Sequence, residues 1–228
     1  MELIGVLFIF KIQSTYYSKY QAVGDSMHII KKAVNQIESM VEDCGISDNP
    51  VILEQENEVA RCAYERGALL RVTFGGRSAG LATDDPVRTT TKPSFMFGAT
   101  LGKPALRSAA AGILNALTGF LCTSRRLHAC LPDNHPTCIR ELEDLITGKK
   151  IWCCGGMDQI RERFSSQIVN TPEEADLILV SSDGMISDEN GIIPEEPDER
   201  YLFIGPSTSG VAVLTHGCHF CPYGRTNI

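Results

Sequence analysis

Positive charge is scarce in this 228-residue chain: 21 Lys and Arg stand against 28 Asp and Glu, a formal net charge of −7. Proteins that track nucleic-acid phosphates present a net basic face, so this balance argues against that class. Only Arg125, Arg126 and His128 gather into a small basic knot. Long apolar runs are missing too. The opening MELIGVLFIFKIQ is too short to span a bilayer and lacks both a small-residue cleavage site and a strong basic flank, so no membrane association is expected. Neither a GxGxxG fingerprint nor a Walker lysine occurs, which leaves no NAD or NTP signature.

What the chain has is an apolar fraction of 43% and nine cysteines. The first suffices for one good core or two small ones in a soluble globular protein. The second is an odd number in a chain too large and apolar to need disulfide staples, so a reducing cytoplasm is expected.

Residues 1–26 read as a leader, either an added strand or sequence before the true start, since Asp25 and Ser26 suit helix caps and Met27 suits an initiator. A helix is predicted from Ser26 to Cys44, with Ile29, Ile30, Val34, Ile37, Met40 and Val41 on one stripe and Gly45 as its stop. VILEQE, VARCAYE and ALLRVTF read as strands of a small antiparallel sheet, with Glu65-Arg66-Gly67 as a hairpin connection. GGRSAGLATDDP reads as a double glycine turn and TTTKPSFMFGATLGKP as a long polar loop. A strong helix then starts at Pro104. Its alanines and Gly112 permit close backbone approach, and Asn115 is either a satisfied core amide or a pocket residue. The division expected is an α+β unit over 27–125 and a second α/β unit over 126–228, opened by the helix CIRELEDLITG.

In the second unit KKIWCC, ADLILV and RYLFI are apolar runs that each empty into small or polar residues, the pattern of a mainly parallel sheet covered on both faces. Ligands of such sheets sit beyond the strand ends. Gly155, Gly156, Ser181, Ser182, Asp183, Gly205, Pro206, Ser207 and Thr208 are therefore the candidate ligand-binding residues, suited to a small anion. Loops of this kind also use such residues simply to turn and to cap.

The chain ends in HGCHFCPYGRTNI. Cys218 and Cys221 have the spacing at which a turn aims two sulfurs at one metal or brings them together as a redox pair. Two further ligands would complete a tetrahedral site, and His216 and His219 are the nearest, with one of Cys153 and Cys154 as another source. Such a set suits zinc, copper(I), cobalt or an iron–sulfur cluster. Ordinary buried cysteine is the remaining reading, and Cys44, Cys62 and Cys122 read as core. The acidic stretch from Asp188 to Arg200 reads as an exposed loop.

FGGRSAGLATDD, RSAAAGILNAL, GKKIWCCGGMDQI, EEADLILVSS and YLFIGPSTSGVAVLTHG together resemble the heavy-metal chelation family, a domain of unknown function that follows a smaller domain similar to the enolase N-terminal domain. The resemblance runs from about Met27 to the end. It implies a prokaryotic two-domain α/β protein with a Rossmann-like second domain, and a role in binding or chelating a heavy metal, linked to anaerobic corrinoid metabolism. It supplies no catalytic residues. Two features depart from the family: SSDGMISDENG stands where a Thr-Gly and Asn segment is usual, and the family's end is not cysteine-rich. The alternatives are an enzyme acting on a small phosphorylated or carboxylated metabolite, with Asp183 as acid or base, and a redox module built on Cys218 and Cys221. A homo-oligomer stays open.

Overall fold

The computed structural model describes residues 28–57, 60–188 and 191–226; the leader, with Asp25, Ser26 and Met27, lies outside them. The first described helix, α1 (Ile29–Val41), is capped by His28, whose Nδ1 accepts from the amide of Ile30. Its apolar stripe is buried as the spacing predicts, except that Met40 is exposed. Burial lowers the His28 pKa to about 4, which keeps the cap neutral and able to accept.

Strands β1 (Val51–Glu56), β2 (Ala68–Phe74), β3 (Arg77–Thr83) and β4 (Thr89–Thr91) form an antiparallel sheet in the order β3-β2-β1-β4. Gly75 and Gly76, with φ of 55° and 76°, turn the chain between β2 and β3 as the left-handed region demands. Three expectations are corrected here. GGRSAGLATDDP turns once and then becomes β3, with Gly80 paired to Arg71 inside the ladder. TTT pairs with β1 as a short edge strand. The described part of VARCAYE, residues 60–65, is a loop, so Glu65-Arg66-Gly67 is no hairpin between two strands. That segment buries Cys62 and Tyr64 in a cluster with residues 138–220 instead of pairing them in the first sheet.

Helix α2 (Pro104–Phe120) is buried without a break from Arg107 to Gly119. It lies on β2 and β3 with one side and meets a later helix, α6 (Ser209–Leu214), with the other. Small residues make the double contact possible. A Cβ on Gly112 would stand 2.7 Å from Val72 Cγ2, and one on Gly210 would stand 2.9 Å from Asn115 Cα.

Helix α3 (His135–Ile146) leads to four parallel strands, β5 (Ile151–Cys154), β6 (Leu177–Val180), β7 (Tyr201–Ile204) and β8 (Cys218–Phe220), which lie in chain order. Helices α4 (Asp158–Arg163), α5 (Ser182–Ser187) and α6 connect them. Alternation along the strands divides the sheet between two cores. Cys154, Ile178, Val180 and Phe203 join α1, α2, α5, α6 and the antiparallel sheet, whereas Cys153, Leu179, Leu202 and Ile204 join α3 and α4. The protein is thus a mixed α/β structure with one antiparallel and one parallel sheet of four strands each. No described helix is long and apolar enough to cross a membrane.

Candidate functional site

The connection after β5 passes to the α4 face of the parallel sheet and the connection after β6 passes to the α5 face. Neighbouring strands whose connections leave on opposite faces open a crevice at their carboxyl ends. Gly155, Gly156, Ser181 and Asp183 meet there. Asp183 Oδ1 accepts from Ser181 Oγ at 2.6 Å, and its Oδ2 accepts from the Gly156 amide at 2.8 Å. Gly155 has φ of 109° and no room for a Cβ against Ser181 Oγ. Gly205, Pro206, Ser207 and Thr208 form the third turn, all buried, as Ser181 and Ser182 are.

The structure brings these three turns together and then fills the space between them from the first half of the chain. Arg66 Nε donates to Asp183 Oδ2 at 3.1 Å and occupies the space over Gly156. Glu65 takes the third turn: its Oε1 accepts from the Ser207 amide at 2.9 Å, and its carboxyl packs on Gly205. At the end of β3, Ala82 accepts from Ser182 Oγ at 2.6 Å and donates to Ser207 Oγ at 2.8 Å. The polar atoms expected to hold a ligand are therefore satisfied within the protein. Glu65 and Arg66 were missed because the ERG stretch reads equally well as a turn. A buried carboxylate carries no sequence signal of its own.

Because Arg66 is half exposed and flexible, the crevice is the easiest part of this rim to disturb. Gly156→Ala is expected to push the guanidinium off Asp183 and to cost about 1–2 kcal/mol, the range for loss of a charged hydrogen bond with partial resolvation. Urea denaturation measures it, and an unchanged midpoint would show that Arg66 does not depend on the missing Cβ.

At the C-terminus the four predicted metal ligands do not form a group that could hold a metal ion among the described residues. His216 is exposed in a positive-φ turn, at 57°, and Cys218 is exposed on β8. His219 is half-buried, with its Nε2 2.9 Å from the carbonyl of Gly205, and its pKa is lowered first by burial. Cys221 turns inward. There the thiols of Cys62, Cys130 and Cys138, with Glu65, lie within electrostatic reach of it. The Tyr64 hydroxyl lies within electrostatic reach of Cys138.

The folding that assembles this group is visible in its backbone contacts. The amide of Arg225 donates to His128 and the amide of His128 donates to Arg225, holding the chain end against the segment that carries Cys130. The Tyr223 hydroxyl bonds Glu141 on α3, one turn beyond Cys138. Beside the group lies a cavity of about 270 Å³ that includes Tyr64 and His135, whose buried Nε2 has no partner among the described residues.

Burial, reinforced by Glu65 and the other thiols, pushes Cys221 up to about 12 and Cys62 well above the usual thiol range. Cys130 and Cys138 are raised as well, again chiefly by burial. All four are neutral thiols at pH 7, poor nucleophiles that yield their protons only to a strong competitor. Cys44 and Cys122, read as core from sequence, are exposed; Cys153 and Cys154 face opposite sides of β5, as alternation requires.

The donor chemistry here fits a soft or borderline ion. The geometry is not yet that of a closed site, because among the described residues no three His, Cys, Asp or Glu side chains stand about one point. No family model, curated protein or solved structure matches the chain.

Proposed function

We propose that this protein binds a soft or borderline metal ion, in the class of zinc, copper(I), cobalt or an iron–sulfur cluster, through Cys62, Cys130, Cys138 and Cys221. The observation that carries the reading is that the thiols of Cys62, Cys130, Cys138 and Cys221, from three separate regions of the chain, lie within electrostatic reach of one another and of buried Glu65, near a His135 Nε2 that has no partner among the described residues. Four free, neutral thiols also belong in a reducing compartment, so a cytoplasmic location is part of the proposal. It agrees with the role implied by the resemblance to the heavy-metal chelation family. The finer fold assignment, Rossmann-like after an enolase N-terminal-like unit, draws its support from the parallel sheet with helices on both faces and from the antiparallel sheet with helix α1.

A bound ion would supply the positive charge that this pocket of raised thiols lacks, and its binding would release their protons. Uptake should therefore strengthen as pH rises. Cys218 takes no part: it is exposed whereas Cys221 is partly buried, and both thiols are free, which also weakens the redox-pair reading. Catalysis by Asp183 at the strand ends has less support, since three donors already engage that carboxylate.

The test is elemental analysis and cobalt(II) titration of protein prepared anaerobically. Near-stoichiometric metal with thiolate-to-cobalt absorption is expected in wild type and in Cys44→Ser/Cys218→Ser, and its loss is expected in Cys130→Ser/Cys221→Ser. Equal metal in the two double variants, or none in wild type, would overturn the proposal.

A further inference from the structure

A second cavity, of about 560 Å³, lies where the turn after α2 meets the start of α6, strand β8 and the end of the described chain. Ser124, Arg125, Arg126, Ser209, His219 and Thr226 are in its wall, and among the described residues no carboxylate is. In a chain of net charge −7 this is a local reversal of sign. Among the described residues neither arginine is ion-paired with a carboxylate.

The wall is held in place by bonds made at its back. Arg126 Nη1 donates to the carbonyl of Gly224 at 3.2 Å, and Thr226 Oγ1 donates to the carbonyl of Arg125 at 2.9 Å. The hydroxyls of Ser124 and Ser209 are buried and bonded to each other. The His219 ring is held by its Nε2, 2.9 Å from the carbonyl of Gly205.

We propose that this cavity binds a small hydroxylated organic anion through its phosphate or carboxylate group. Guanidinium groups pair with either in a bidentate manner, and no carboxylate among the described residues competes for the two arginines. The oxygens of Ser124, Ser209 and Thr226, bonded within the protein as described, keep lone pairs that can accept from the hydroxyl groups of a sugar-like body. The volume lies within the range of metabolite pockets. This site is separate from the strand-end crevice, whose polar atoms are already bonded, and it shares no ligand residue with the thiol group.

Isothermal titration calorimetry on the full chain, in chelator, tests it with ribose 5-phosphate, inorganic phosphate, citrate and ribose. Ribose 5-phosphate or citrate should bind and ribose should not, with affinity falling as salt is raised. The stronger of the two anions identifies the headgroup. Arg125→Gln, which keeps the Arg126 contact to Gly224, should weaken binding about tenfold, the effect of one lost charged contact. Arg125→Gln/Arg126→Gln should abolish it, with circular dichroism establishing that both variants fold. Binding by neither anion, or undiminished binding in folded Arg125→Gln/Arg126→Gln, would overturn the proposal.

Discussion

Asn115→Ala is expected to destabilise the protein by roughly 3–5 kcal/mol, the sum for three buried polar groups that lose their partners at one to a few kcal/mol each. The amide of Asn115 has no exposed surface. Its Nδ2 donates to the carbonyls of Ser207 at 2.9 Å and Gly80 at 3.3 Å, and its Oδ1 accepts from the amide of Gly210 at 2.7 Å. One side chain thus ties α2 to β3, to the turn after β7 and to the first turn of α6. Truncation leaves two carbonyls and an amide facing each other in a space closed to water by Gly210, whose own lack of a side chain brings it against the Asn115 backbone. Domains of this size have total stabilities of about 5–15 kcal/mol, so the loss is a large part of the whole. Asn115→Asp should be no milder, because it sets a carboxylate against two carbonyl oxygens. Urea denaturation of both variants measures the effect. A loss under about 1 kcal/mol for alanine would mean that the three backbone groups find other partners and that the amide is not the joint.

The same residue illustrates what the sequence made legible. A polar residue in the middle of an apolar helical run announces that something must satisfy it, and of the two readings open for Asn115 the satisfied amide is the one found. Periodicity likewise located α1 and α3, each of which buries one face, whereas α2 showed in its Pro104 start and small apolar residues, and β5, β6 and β7 in unbroken apolar runs that fit strands covered on both faces. Strand β8 escaped notice since three residues carry no period and its pairing depends on β7, fourteen or more residues earlier. The convergence of the strand-end turns followed from topology, but their closure did not. It depends on Glu65 and Arg66, which reach the rim from a loop more than a hundred residues away in sequence. The thiol group has the same origin. Cys221 was singled out by its spacing from Cys218, yet the fold turns it toward Cys62, Cys130 and Cys138, and no local pattern links those four.

Glu65→Gln should gain stability relative to wild type as pH rises from about 4.5 to 7. Glu65 is buried, and burial raises its carboxyl pKa from 4.5 to about 7, with the Asp183 charge adding to the effect and the Ser207 amide opposing it. The folded protein therefore binds this proton more tightly than the unfolded chain does. The contribution is complete below about pH 4.5, fades as pH rises toward 7 and is gone above it, a change of about 3 kcal/mol. His28 and His128, with pKa values lowered to about 4 by burial, act in the opposite sense, stabilising the fold above their ordinary range and withdrawing that support as pH falls toward 4. The two effects overlap between pH 4 and 7, so the wild-type curve alone does not isolate Glu65. The difference between wild type and Glu65→Gln does, because the histidines are common to both and glutamine keeps an oxygen for the Ser207 amide. Urea midpoints measured from pH 4 to 9 should show the variant gaining on wild type steadily up to about pH 7 and holding a constant lead beyond it. Parallel curves would mean that the carboxyl titrates at its ordinary value and that water reaches it. A gain would carry a consequence for the thiols as well: with no carboxylate beside them, Cys62 and Cys221 should titrate at lower pH in the variant, which thiol alkylation rates against pH would register.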